Sequence, residues 1–131
     1  MKLKIKIKRA YEPAAKSDGR RILIDRLWPR GLTREAAGID EWAKDLSPST
    51  ALRRWFNHDP ELWGEFVDRY REELAVPAAR LALGRLRTLA SSRRVTLVYA
   101  ASNRAYNNAV ALCTILDGRA APRRKGKPCS T

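Results

Sequence analysis

Two cysteines and one histidine are all that 131 residues offer as soft metal ligands, and that scarcity narrows the chemistry at once. Cys113 and Cys129 are too few for a disulfide framework. Cys113 falls on the apolar side of an expected helix and reads as a small core residue. Cys129 lies in a basic tail, without a neighbouring His or second thiol. His58 has no Cys or paired acidic ligand nearby, so no metal and no cofactor is expected. Its place before Asp59-Pro60 reads as cap or loop packing, and a Ser-His-Asp triad built on it would have no nucleophile elbow. Gly-rich nucleotide fingerprints and internal repeats are missing too. No apolar run approaches the ~20 residues of a membrane span, and the N-terminus alternates Lys with Leu or Ile instead of building the apolar stretch of a signal peptide. A reducing, cytoplasmic setting away from membranes is the expectation.

Acidic residues are missing from both ends. The net charge is +13, but residues 1–9 carry five cations and residues 118–131 carry five more, with no acid in either stretch. The body between them holds 17 cations and 14 acids and is nearly balanced. Basic ends aid solubility and attract polyanions without a specific site, and Lys on an edge strand guards against strand-to-strand association. They also fit a nucleic-acid footprint, although no aromatic residues interleave with the tail cations to stack bases.

What is present is the pattern of a small layered domain. Strict alternation over residues 2–8 predicts a half-exposed strand. Pro13, Ser17, Asp18 and Gly19 mark a loop. Ile22-Leu23-Ile24, apolar without alternation, predicts a central strand over residues 21–26, covered on both faces. Thr33 can cap a short turn. Residues 39–46 are either a third strand or an irregular extended segment. Ser47-Pro48 predicts a helix start with the cap at Ser47. Asp59-Pro60-Glu61 repeats that signal and opens a longer helix to about Leu74, with Leu62, Trp63, Phe66, Val67, Tyr70 and Leu74 as its stripe. Helix is expected again over residues 79–91, strand over residues 94–100, and a last helix capped by Ser102 or Asn103 and stopped at Gly118. Strands mixed with helices of this length predict an α/β fold: a small, largely parallel sheet of three to four strands flanked by four to five helices. Residues 1–118 form the expected single domain, with 119–131 as a basic, flexible tail.

The chemistry concentrates at two expected strand ends. Arg26-Leu27-Trp28-Pro29-Arg30-Gly31 follows the central strand, and open α/β sheets bind ligands outside the carboxyl ends of strands. Guanidinium forks suit carboxylate or phosphate there. Asp25, Arg26, Trp28 and Arg30 from one strand end would meet Ser102, Asn103, Asn107 and Asn108 from the other. The free N–H groups of a helix start would add positive potential. Arg26 and Arg30 would hold the anion, Trp28 would pack on its organic part, and Asp25 would orient an Arg or act as base. The plain alternative pairs Arg26 with Asp40 or Glu41 and leaves Trp28 and Pro29 to pack. Asn107 and Asn108, poor interior helix residues, serve equally well to hold the Arg26–Gly31 loop. The aromatic series from Trp42 to Tyr70 reads as core packing.

Ile7-Lys8-Arg9 with Tyr11-Glu12-Pro13, the block Asp25 to Gly31, Asp40-Glu41-Trp42 with Leu46, Pro48-Ser49-Thr50 with Leu52-Arg53, and Leu97 to Ala101 with Asn107 together resemble the YeaO-like bacterial family, a domain of unknown function. The resemblance spans residues 5–117 and leaves the basic tail outside. It implies a small cytoplasmic α/β protein and brings no activity with it. Where members of that family carry His or Gln this chain has Tyr106, so no acid/base group is implied there. Three roles follow from the sequence: binding of a small anionic ligand at the strand ends, nucleic-acid binding through the basic termini, or a structural role with a partner over the aromatic helices.

Overall fold

The computed structural model describes residues 5–118. Four strands form one parallel sheet: β1 (Ile5–Arg9), β2 (Arg20–Leu23), β3 (Glu41–Trp42) and β4 (Val95–Tyr99), in the spatial order β1-β4-β2-β3. Five helices complete the fold: α1 (Arg34–Ala37), α2 (Thr50–Phe56), α3 (Trp63–Glu73), α4 (Pro77–Ser92) and α5 (Asn108–Leu116). The expected α/β architecture with a parallel sheet is therefore what the chain adopts.

Strand β4 sits between β1 and β2, pairing Ile5 with Val95 on one side and Arg20 with Val95 on the other. Its five residues are all buried. Residues 39–46, left open by the sequence, resolve into the two-residue β3 followed by a 3-10 turn, Lys44–Leu46.

The sheet separates two cores of unequal size. Ile22, Ile24, Val95, Leu97 and Tyr99 face the larger one, with α2, α3, α4 and α5. Leu23 and Val98 face the smaller one, with Ala10 and the half-buried Trp28, Leu32, Ile39 and Trp42. Period-two alternation thus persists in β2, but both faces are covered, so all three residues of Ile22-Leu23-Ile24 are buried. Helix α5 is buried almost all round, including Ala109, Leu112, Cys113 and Leu116, which is why its sequence carries so little amphipathic contrast. Cys113 is in the core as expected, but it is not a free thiol; Cys129 lies outside the described residues.

The smaller face also holds a buried ionic cluster. Asp18 is fully buried and accepts from Lys6, Lys8, Arg21 and the Ala15 N–H, at 3.0, 3.0, 2.8 and 3.0 Å. Burial alone would raise its carboxyl, but those donors outweigh it and hold the group far below the ordinary carboxylate range. Arg21, 2% exposed, also donates to the carbonyls of Ala37 and Glu12. Gly19 lets the chain turn from this acid into β2: its φ is +63°, and a Cβ there would meet the Arg94 carbonyl oxygen at 2.1 Å.

Helix starts moved from their expected places. The cap of α2 is Ser49, whose Oγ accepts from Leu52 N–H, and Ser47 Oγ instead donates to Lys44 O. Pro48 therefore precedes the cap instead of following it. Pro77 opens α4 as its first residue. Asp59 caps as expected, but its turn is a 3-10 segment, Pro60–Leu62, that runs into α3. Helix α5 is capped by Asn107, not by Ser102 or Asn103. The loop of residues 100–107 intervenes because Asn103 Oδ1 accepts from the N–H groups of Ala105 and Tyr106, closing a turn of its own. The expectation of a flexible tail falls on residues 119–131, outside the described residues. Among the described residues no helix is long and apolar enough to cross a membrane.

Candidate binding cavity at the strand ends

Beyond the carboxyl ends of β2 and β4 the chain opens a cavity of about 510 Å³. Asp25, Leu27, Ala100, Asn107 and Asn108 form one side, and Thr50, Arg53, Arg54 and His58 the other. Phe56 and Phe66 close part of the wall. This volume lies within the usual range for small-molecule sites, ~300–1,000 Å³.

Asp25 organises the strand ends. Its Oδ1 accepts from Asn108 Nδ2 at 2.7 Å and its Oδ2 from Ala100 N–H at 2.8 Å. Asn108 Nδ2 also donates to Ile24 O at 2.9 Å. One carboxylate and one amide thus tie the end of β2 to the end of β4 and the first residue of α5. Burial pushes the Asp25 carboxyl up, against the lowering influence of Asn108, Ala100 and the Arg53 guanidinium. Asn107 is engaged by its own helix: its Oδ1 accepts from Val110 N–H and its Nδ2 donates to Asn103 O.

Of the eight residues expected at a site, Asp25, Asn107 and Asn108 meet at this cavity. Trp28 does not. It lies on the other face of the sheet, edge-on to Trp42 with ring centroids 5.4 Å apart, and its Nε1 donates to Leu32 O at 2.6 Å. Arg26 and Arg30 are exposed on the loop. Among the described residues Arg26 bonds only to Pro48 O, at a long 3.4 Å, and pairs with neither Asp40 nor Glu41. Asp40 accepts from Arg21 N–H, and Glu41 sits 3.7 Å from Arg20. Ser102 is exposed and Asn103 is spent on its turn.

Arg53, Arg54 and His58 were missed as site residues. Arg53 and Arg54 make no side-chain hydrogen bond or ion pair with a described residue, yet both line the cavity. The signal for them was present: two adjacent cations on a seven-residue helix, with Leu52 and Phe56 buried beneath. His58 Nδ1 lies 2.9 Å from Tyr106 O. A carbonyl only accepts, so that nitrogen carries the proton. His58 and its neighbour Asn57 both have left-handed backbones, with φ of 55° and 44°, a conformation that costs energy outside glycine and that clusters at functional loops. Tyr106 itself is core, edge-on to Trp63 at 5.4 Å. Among the described residues no group of three or more His, Cys, Asp or Glu could hold a metal ion.

Residues 4–131 match the family described as the inactive DUF488-N3 subclade. The chain belongs to that family. Over 116 residues it is 40% identical to an uncharacterised protein of Mycobacterium tuberculosis, covering 88% of this chain and 96% of that one. An uncharacterised protein of Mycobacterium bovis shares the same identity and coverage. The uncharacterised protein YeaO of Escherichia coli is 41% identical over 110 residues, 84% of this chain and 94% of its own. The expected kinship with YeaO-like proteins of unknown function therefore holds. No solved structure matches the chain.

Proposed function

We propose that this is a single-domain cytoplasmic protein that binds a small phosphate- or carboxylate-bearing molecule in the cavity at the carboxyl ends of β2 and β4. The observation that carries this reading is the pair Arg53 and Arg54: two adjacent arginines line the cavity and make no side-chain hydrogen bond or ion pair with a described residue. Unpartnered Arg beside a hollow is well suited to a bidentate anion. Asp25 accepts from Asn108 and Ala100 and interacts with the Arg53 guanidinium, but it is a single carboxylate against two arginines, so the lining stays cationic. Leu27, 69% exposed on the rim, offers apolar contact to the organic part of the ligand.

The description of the family as an inactive subclade favours binding over turnover. Nucleic-acid binding is the weaker reading. Lys6 and Lys8 are engaged by Asp18 and Arg9 donates to the carbonyls of Ala101 and Ala100, while Lys2, Lys4 and the tail cations lie outside the described residues. Titration calorimetry against nucleotides, sugar phosphates and small dicarboxylates tests the proposal. At least one class should bind, and Arg53→Ala/Arg54→Ala should weaken it by tenfold or more. Silence across the panel, or binding indifferent to both substitutions, overturns it.

A further inference from the structure

A second hollow, of about 310 Å³, lies between the sheet and α4 and shares no lining residue with the first. Its floor is apolar: Ile22, Leu46 and Leu86 are buried, and Ala82 and Leu89 pack half-buried beside them. It lies where β3 stops after two residues. Only Ile22↔Glu41 and Leu23↔Trp42 pair at this edge, and the chain then turns into the Lys44–Leu46 segment that packs on α4.

The rim is cationic. Arg20, Arg85 and Arg93 surround the floor, against one acid, Glu41. Glu41 is taken by Arg20 at 3.7 Å. Arg85 and Arg93 have no side-chain hydrogen bond or ion pair with a described residue. A hydrocarbon-lined hollow with two uncommitted guanidinium groups at its mouth is complementary to a molecule with an apolar body and a carboxylate head.

We propose that this hollow, between β2, β3 and α4, is a binding site for a short-chain aliphatic carboxylate, the chain lying on Ile22, Leu46 and Leu86 and the head on Arg85 and Arg93. Its volume of about 310 Å³ suits a short chain. The guanidinium stems cover the flanks of the chain while their heads stay in water. The site does not depend on the strand-end cavity.

The test is an NMR titration of the full chain with octanoate, read at the methyl groups of Ile22, Leu46, Leu86 and Leu89. Saturable shifts confined to these methyls are expected. Octan-1-ol and octylammonium, with the same chain and no negative head, should bind at least tenfold more weakly, as should acetate, with the head and no chain. Arg85→Ala/Arg93→Ala should weaken octanoate by about tenfold for each guanidinium removed. Both residues are exposed, so the variant is expected to keep its native circular dichroism spectrum. Ala82→Phe, which fills the floor, should abolish the shifts while leaving ligand binding at the strand ends unchanged, and Arg53→Ala/Arg54→Ala should leave octanoate binding unchanged. Octan-1-ol binding as tightly as octanoate, inorganic phosphate competing at equal concentration, shifts centred on Asp25 and Asn108, or no saturable shift at all overturns the proposal.

Discussion

Replacing Asp18 by Asn is the sharpest probe of what holds the smaller face together. The substitution keeps the size of the side chain and removes its charge. Oδ1 accepts from Lys6 and Lys8, while Oδ2 accepts from Lys8, Arg21 and the Ala15 N–H. Whichever oxygen becomes an NH2 group faces a donor, and Arg21, 2% exposed, loses its one carboxylate partner among the described residues. Leaving a buried charge without its counterion costs about 3–5 kcal/mol. Arg21 keeps its bonds to Ala37 O and Glu12 O, so the lower end, about 3 kcal/mol, is expected. That is a large share of the ~5–15 kcal/mol typical of a domain. The pH dependence follows from the depressed carboxyl. In acid the unfolded chain takes up this proton first, from about pH 3.8 downward, while the folded protein resists it. The stabilisation is therefore complete above that pH and is lost as pH falls toward the folded value. Urea unfolding of the native chain and of Asp18→Asn at a series of pH values reads both effects. The two stability curves should lie about 3 kcal/mol apart at pH 7 and converge below pH 4. A gap under about 1 kcal/mol at pH 7, the scale of an exposed pair, or curves that stay parallel into acid, would refute the argument.

Other outcomes are equally concrete. The Asp25 carboxyl is raised by burial, so its NMR titration midpoint should lie above 3.8. The folded state then holds the proton longer than the unfolded one, and this group reduces stability as pH rises through that interval; a midpoint at or below 3.8 contradicts the buried setting. Asn108→Ala removes the donor shared by Ile24 O and Asp25 Oδ1 and should cost about 1–3 kcal/mol in denaturant unfolding. Leu112, fully buried on α5, leaves a void when replaced by Ala, and Leu112→Ala should cost about 2–5 kcal/mol. Gly19→Ala meets both an unfavourable φ and the Arg94 carbonyl; its thermal midpoint should drop by several degrees, and an unchanged midpoint would show that this turn relaxes freely.

Much of the fold was legible because local rules and tertiary packing agree along most of the chain. The Val95–Tyr99 strand, the Asp59-Pro60 helix entry and the stripe Trp63, Phe66, Val67, Tyr70 each have one structural solution, and the chain takes it. Misplaced starts occur where two neighbouring residues offer the same cap. Ser47 and Ser49 are both competent, and Glu73 decides between them by binding the N–H and Oγ of Ser49 at 2.7 and 2.5 Å from another helix. Asn103 and Asn107 compete in the same way, and both win: one closes a turn and the other opens α5.

The candidate site was half legible. Its location at the strand ends followed from parallel topology, and Asp25, Asn107 and Asn108 are there. Trp28 was misplaced because strand alternation does not extend through a Pro29-containing loop, so nothing local told which face of the sheet the indole would take. Arg53, Arg54 and His58 come from a helix and a loop more than 20 residues beyond the Arg26–Gly31 loop, and only packing brings them to the same cavity as Asp25.

By itself the sequence determined most of the element types, the largely parallel sheet and the end of the sheet where polar groups gather, since periodicity and capping act over a few residues. Tertiary structure alone decided which cations are consumed and which are left over. Lys6, Lys8 and Arg21 share one acid buried on the small face, while Arg53, Arg54, Arg85 and Arg93 line hollows with no side-chain hydrogen bond or ion pair to a described residue. Charge pairing depends on distances of a few ångströms between segments remote in the chain, and those distances are set only when the core closes.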